Sequence, residues 1–426
     1  MRAGVSKPLT ISALYLSPRV GLAYRLTDKT VIRSGFGINW DPWNLGRPLR
    51  TNFPVLAALN MVPPAFQWAS TLDAGIPILE EPRLDPRGRI PMPLAFALNT
   101  TDGRFQRSYI MNWNFMIQRD LGKNFVAQAG YVATRAVHVS GMLNHNAGQV
   151  PGMDLAGMPL FTRFRRPVVT NINDAVGHTS FHSMQATLTK RFSGRLQANV
   201  AYTWSKAIGI CCDMNNNGPP LHNALAYFDR NRTLLPMDRT HNFQVTATYQ
   251  LPFGRGRAFN TGKRFVDGII GGWQLNGVLS AMSGLPFNVT GDAATLLMPG
   301  NMQTPDQLVP VVGRPEGLGR GNPYFDRTAF RDVPMGANRF GNMGPMALRG
   351  PRFFNSDLGL FRNFRISERS VMEFRAEMFN WTNTPNFANP VGAVPSADFM
   401  FVMSTVAGGR EPNGDRILRL GLRLTF

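Results

Sequence analysis

Cysteine is nearly absent from this chain: it has two, adjacent at Cys211 and Cys212. Such a pair builds no disulfide framework. They read as two loop residues, with a strained vicinal disulfide or a soft-metal contact as the alternatives. No run of 18 or more apolar residues occurs, which excludes helical membrane spans. Apolar spacing near 3.6 is sustained nowhere, so long helices are not expected. Acidic residues are scarce beside basic ones, 26 against 45, and the net charge is +19. That excess suits a solvated basic surface, nucleic acid, anionic lipid sugars or acidic ligands. Met1 to Pro8 leads into no apolar core with a cleavage site. No secretory signal is read there, so the expectation is a soluble chain or a piece of a longer one.

What is abundant is alternation. In the last twelve residues Leu418, Leu420, Leu422, Leu424 and Phe426 fall on one face of a strand, and Arg419, Gly421, Arg423 and Thr425 on the other. Strand side chains alternate with period two, so one face is apolar and the other charged. A soluble sandwich would bury the apolar face under a second sheet. A membrane barrel would turn it to lipid and line a lumen with the polar face.

The same pattern recurs along the chain. Leu196, Ala198, Val200, Tyr202 and Trp204 alternate with Gln197, Asn199, Ala201, Thr203 and Ser205. Phe243, Val245, Ala247 and Tyr249 alternate with Gln244, Thr246, Thr248 and Gln250. Eleven strands are predicted, over 18–26, 29–40, 107–119, 124–138, 180–192, 195–206, 241–251, 270–288, 353–365, 370–382 and 415–426. Turn residues are plentiful, with Gly 42 and Pro 32, as such a chain requires.

The connections sort by length. Short ones fall at 27–28, at 120–123, at 193–194 and at 367–369, with a medium one at 252–269. Long ones fall at 41–106, 139–179, 207–240, 289–352 and 383–414. Short and long alternate strictly, so in an antiparallel meander all long loops share one end. Outer-membrane barrels have short periplasmic turns and long extracellular loops, whereas a compact soluble domain rarely tolerates so many long connections. Aromatics also cluster at two heights. Trp40, Tyr109, Trp204 and Trp381 lie near the loop ends, and Phe125, Phe192, Phe364 and Phe426 near the turn ends. Such girdles mark lipid headgroup levels. The expected fold is therefore all-β, an antiparallel transmembrane β-barrel portion of about eleven strands.

Few constellations invite chemistry. His178 and His182 would lie roughly 13 Å apart on a strand, too far to share an ion, and the remaining histidines match no ligand spacing. No metal or other cofactor is expected. Ser205-Lys206 and Ser283 have no matching base and orienting group, so no enzyme is expected. Gly254 to Arg257 resembles a nucleic-acid-binding fragment but sits in a turn, and no nucleic-acid partner is expected. The basic run Arg163 to Arg166 could meet lipopolysaccharide or simply be solvated. Asp357, Glu373, Arg375, Glu377, Arg419 and Arg423 fall on polar strand faces and are the lumen-facing candidates. They form a hydrophilic wall or, less readily, a substrate contact.

Several runs together carry a family resemblance. PRVGLAYRLTDKTVIRSGFGI (18–38), NWNFMIQRDL (112–121), AGYVATRAVHV (129–139), FHSMQATLTKRFSGRLQANVAYTWSKAI (181–208), HNFQVTATYQLPFGRG (241–256), GGWQLNGVLSAMSGLPFNV (271–289) and FRAEMFNWTNTPNFANP (374–390) resemble the barrel of TonB-dependent outer-membrane transporters. The likeness is nearest to the Oar-like group. The resemblance implies a plug, a box that contacts TonB and a barrel of twenty-two strands. Residues 1–426 would then be the C-terminal half of the barrel, without the plug, TonB box or signal. It implies outer-membrane lipid and lipopolysaccharide as surroundings. It also implies that Phe426 is read by the barrel-assembly machinery, and that TonB acts only through the missing plug. The expected function is the wall and external loops for uptake of a bulky substrate. The alternatives are a passive porin-like or adhesive surface barrel, or a basic soluble β protein. An odd antiparallel sheet leaves the strands at 18–26 and 415–426 as edges. An open sheet or an awkwardly closed small barrel is therefore expected of the chain by itself, stable only once the missing N-terminal half is added.

Overall fold

The computed structural model describes residues 14–40, 71–75, 86, 98–101, 106–210, 222–315, 321–406 and 414–426. Cys211 and Cys212 lie outside the described residues. Eleven strands run in chain order across one sheet: β1 Arg19–Thr27, β2 Thr30–Trp40, β3 Tyr109–Gly122, β4 Phe125–Asn144, β5 Thr170–Ser193, β6 Leu196–Ile210, β7 His241–Gln250, β8 Trp273–Met282, β9 Phe353–Arg365, β10 Val371–Phe379 and β11 Ile417–Thr425. Each pairs antiparallel with its sequence neighbour. Among the described residues no ladder joins β1 to β11, so the sheet is open, with an edge on either side.

The register carries one parity across all eleven strands. Leu22 is paired with Ser34, Phe115 with Tyr131, Met184 with Trp204, Val200 with Val245, Leu275 with Leu360 and Met378 with Leu418. All of these stand on one face. Among the described residues no second layer covers it: Leu22 is 62% exposed, Leu420 65% and Leu422 70%. Leaving each such side chain in water forfeits about 1.5–3 kcal/mol, which a hydrocarbon surrounding restores. The described residues thus form one large sheet with a bare apolar face, not the two packed layers of a sandwich.

Tight turns close one end of the sheet. Lys123 and Asn124 both take positive φ, 49° and 65°, between β3 and β4, and Gly194 and Arg195 take 57° and 77° between β5 and β6. Two central residues of positive φ make the hairpin turn whose twist matches the flanking strands. The long connections leave from the other end, as the loop lengths predicted.

Three strand boundaries differ from expectation by more than four residues. The β4–β5 hairpin runs on to Asn144 and back from Thr170, where the sequence suggests ends at 138 and 180. Register shifts at Val137, Val139 and Gly141 explain this: His138 adopts φ 58°, and the bulges break the alternation that marks a strand. The medium connection holds a seven-residue helix, α2, Arg264–Ile270. Another short helix, α1, spans Pro159–Phe164. Both are too short for an apolar period to register. β8 ends at Met282 rather than 288, because a Cβ on Gly284 would meet the Gly350 carbonyl oxygen at 1.8 Å. Beyond that crossing Pro286–Phe287 pairs with Leu348–Arg349 in a separate ladder.

The larger buried apolar clusters lie in the loops, not on the sheet. Phe287, Val289, Tyr324, Phe325, Ala329, Phe330, Met343, Phe399 and Met400 form one cluster. Ala224, Leu296, Met298 and Phe340, with Tyr227 against them, form another. The connections after β6, β8 and β10 thus fold together into a layer with its own interior.

Candidate functional site

Two surfaces collect the polar chemistry: the polar sheet face and the loop layer. On the sheet, β10 and β11 bring opposite charges level, with Glu373 paired to Arg423 and Glu377 to Arg419. Arg375 donates to Glu373 at 2.8 Å and lies over the Phe361 ring, 5.3 Å from its centre. Arg419 lies over Phe379 at 5.2 Å. These groups are half-exposed, so each pair contributes at most about 1 kcal/mol. Asp357 shares the face but not the cluster. Its Oδ1 accepts from Asn355 Nδ2 at 3.0 Å and from the Asn380 backbone N–H at 2.9 Å. It therefore fixes the chain as it leaves β10 into the long loop.

Toward β2–β8 the same face is neutral and hydrogen-bonded across strands. Thr134 donates to Asn112 Oδ1 at 2.9 Å, Thr189 to Asn199 Oδ1 at 2.9 Å and Thr248 to Asn276 Oδ1 at 2.9 Å. Arg33 Nη1 donates to Gln118 Oε1 at 2.5 Å. Amide and hydroxyl ladders of this kind present a hydrophilic wall with no group poised for proton transfer. His178 and His182 stand on the opposite face, and the His182 ring is hydrogen-bonded to Tyr131 Oη at 2.5 Å. Among the described residues no group of three or more His, Cys, Asp or Glu could hold a metal.

The loop layer is held by charged side chains that the sequence reading did not single out. Asp238 is fully buried, pairs with Arg349 and accepts the Ala207 N–H at 2.6 Å. Arg349 also donates to the Asp238 and Gly284 carbonyls at 3.2 and 3.1 Å. One ion pair therefore ties the end of β6, the loop before β7 and the loop after β8. Asp306 receives both guanidinium arms of Arg339, at 2.9 and 2.7 Å. That hydrogen bonding holds its carboxyl below the usual range. Arg230 has no carboxylate partner among the described residues. It donates to Thr304 Oγ1 and the Gly341 carbonyl, both at 3.0 Å, and lies 5.0 Å over Phe340. Burial lowers its pKa. His222 is wholly buried edge-on to the same ring, at 5.0 Å, and neither ring nitrogen has a partner among the described residues. Burial first, then Arg230, pull its pKa down to about 4.

The basic run splits. Arg163 and Arg165 are exposed, but Arg166 is buried and donates to Thr170 Oγ1 at 3.1 Å. It stays inside because Asn146 holds its carbonyl at 2.9 Å. Phe426 is 93% exposed at the turn end.

A family model described as an outer membrane beta barrel domain matches residues 6–418. The chain belongs to that family. This barrel domain accordingly resides in the bacterial outer membrane. No curated protein matches its sequence. Among solved structures, the barrel is similar to the outer membrane transporter YddB from Escherichia coli, with 9% identity and TM-score 0.50. That alignment covers 96% of this chain and 40% of that one. A mutant of the ferric enterobactin receptor from Pseudomonas aeruginosa aligns at 11% identity and TM-score 0.44, over 96% and 40%. The FrpB iron transporter from Neisseria meningitidis aligns at 10% and 0.43, over 96% and 39%. At such identities the likeness speaks to the fold alone. The chain spans about 40% of the length of the first of these transporters.

Proposed function

We propose that this barrel domain is the C-terminal wall, with external loops, of a TonB-dependent transporter, completed by strands that pair onto β1 and β11. The observation that carries this reading is that, among the described residues, the two terminal strands of the sheet each pair on one side only. Unpaired backbone groups in hydrocarbon cost several kcal/mol each, so both edges call for partners. A missing N-terminal barrel half would supply them. A plug from the same segment would fill the polar side and carry the contact with TonB. In this reading Asp357, Glu373, Arg375, Glu377, Arg419 and Arg423 face the lumen, and the tight turns face the periplasm. The assembly machinery reads Phe426, and Arg163 and Arg165 meet lipopolysaccharide. A bulky substrate is taken up at the external loops. The packed loop layer favours a receptor-like mouth over a passive pore, and no catalytic role is proposed.

The test has two parts. A tag inserted at the exposed turn near Gly336 should be accessible on intact cells, whereas one at Asn124 should need permeabilised cells. The DNA ahead of Met1 should encode an in-frame plug and TonB box. Without them the reading changes to a porin-like or adhesive barrel.

A further inference from the structure

The lipid-facing side carries a feature that a plain barrel wall does not need. Small side chains lie side by side on the neighbouring strands β4 and β5: Ala129 is paired with Ala186, and Ala127 stands beside Arg119 of β3. Their neighbours are large, with Ile117 on one flank and Leu188, Val200 and Tyr202 on the other. The result is an apolar groove of about 480 Å³ on the outside of the sheet, within the size range of small-ligand sites. It lies toward the turn end, since Arg119 and Ala127 are only a few residues from the Lys123–Asn124 turn.

The groove's mouth is cationic. The Arg119 guanidinium is exposed and makes no ion pair or hydrogen bond among the described residues. Lys190 stands roughly 12 Å away, two strand spacings across and two residues along. Its Nζ reaches the Lys123 carbonyl at 2.6 Å and lies 4.6 Å over Phe125. The strand carboxylate next to Arg119, Asp120, belongs to the polar parity, as do Asp357, Glu373 and Glu377. Among the described residues no carboxylate pairs with Arg119, while the groove below it is lined almost wholly by apolar surface.

We propose that the groove seats one acyl chain of an anionic glycerophospholipid of the periplasmic leaflet, with Arg119 binding the headgroup phosphate. Charge complementarity selects the head, and the alanine floor admits the chain. A long side chain with a cationic end reaches the headgroup level in just this way. The proposal rests on the orientation given above, with tight turns in the periplasm.

The test is native mass spectrometry of the full encoded protein, extracted in mild detergent. It is offered equal phosphatidylglycerol and phosphatidylcholine of identical chains, and in a parallel arm lipid A. Heat-modifiable gel mobility of each sample reports folding. The wild type should retain phosphatidylglycerol roughly five-fold over phosphatidylcholine. Arg119→Gln should bring that ratio to about one while still retaining lipid, and Arg135→Gln, at the other end of the same face, should not. Ala186→Leu should abolish retention of both. An unchanged ratio in Arg119→Gln, or undiminished retention in folded Ala186→Leu, overturns the proposal. Preference for lipid A over phosphatidylglycerol, lost in Arg119→Gln, would overturn it through the orientation instead of the groove.

Discussion

Asp238 and Arg349 are 111 residues apart in sequence and form an ion pair in which the Asp238 side chain is wholly buried. Between them they fasten two long loops to the end of β6. Removing one partner strands the other without compensation, and breaking such pairs costs about 3–5 kcal/mol. Asp238→Asn should therefore loosen the 283–352 loop while leaving β1–β11 in place. Limited proteolysis should cut the variant's loop under conditions that spare the wild type, with gel mobility unchanged.

His222 makes the loop layer sensitive to acid. Its folded pKa is about 4 against 6.5 when free, so the folded layer prefers the neutral ring. The stabilisation is full above about pH 6.5 and falls as pH drops toward 4. Below that it stays lost, because both states are then protonated. The shift corresponds to about 3 kcal/mol. Hydrogen exchange around Ala224 and Phe340 should accelerate between pH 7 and pH 4.5, and His222→Leu should flatten that dependence. Equal acceleration in the variant would assign the effect elsewhere.

Close backbone crossings set a second kind of limit. A Cβ at Gly284 would strike the Gly350 carbonyl, whereas one at Gly268, within α2, has nothing within 4 Å. Gly284→Ala should destabilise by about 1–3 kcal/mol, and Gly268→Ala should be neutral or stabilise by about 0.5–1 kcal/mol. Denaturant midpoints of the two variants should shift in opposite directions or differ in size accordingly.

The two sheet faces should respond differently to charge. Leu420→Arg places a cation on the apolar face, which near the bilayer midplane costs about 2–4 kcal/mol. Glu373→Gln removes a half-exposed partner of Arg375 and should cost at most about 1 kcal/mol. Unfolding from lipid vesicles should rank the two in that order, and only the Glu373→Gln effect should shrink with added salt.

The strand pattern was legible because one residue in two answers to hydrocarbon. From Leu418 to Phe426 and from Phe243 to Gln250 the alternation alone assigned the faces, and loop lengths assigned the ends. It failed at His138, where a bulge shifts the parity by one, and at α2, where seven residues give no period. It was silent on the loop layer for a different reason. Asp238 meets Arg349, and Arg230 meets Thr304 and Phe340, across separations of 74 residues or more. Local spacing carries no trace of such contacts. The six charged candidates divide similarly: strand parity put Glu373 and Arg423 on one face, but not Asp357's attachment to Asn380.

Whether the apolar parity touches acyl chains can be measured residue by residue. With Cys211 and Cys212 replaced, single fluorescent labels would be placed at Leu188, Leu360 and Leu420 and at their neighbours Thr187, Gly359 and Gly421, in membranes containing a lipid-confined quencher. Strong quenching at the three leucines and weak quenching at the three neighbours is the expected result. Equal quenching at both sets, or stronger quenching at the neighbours, would contradict it.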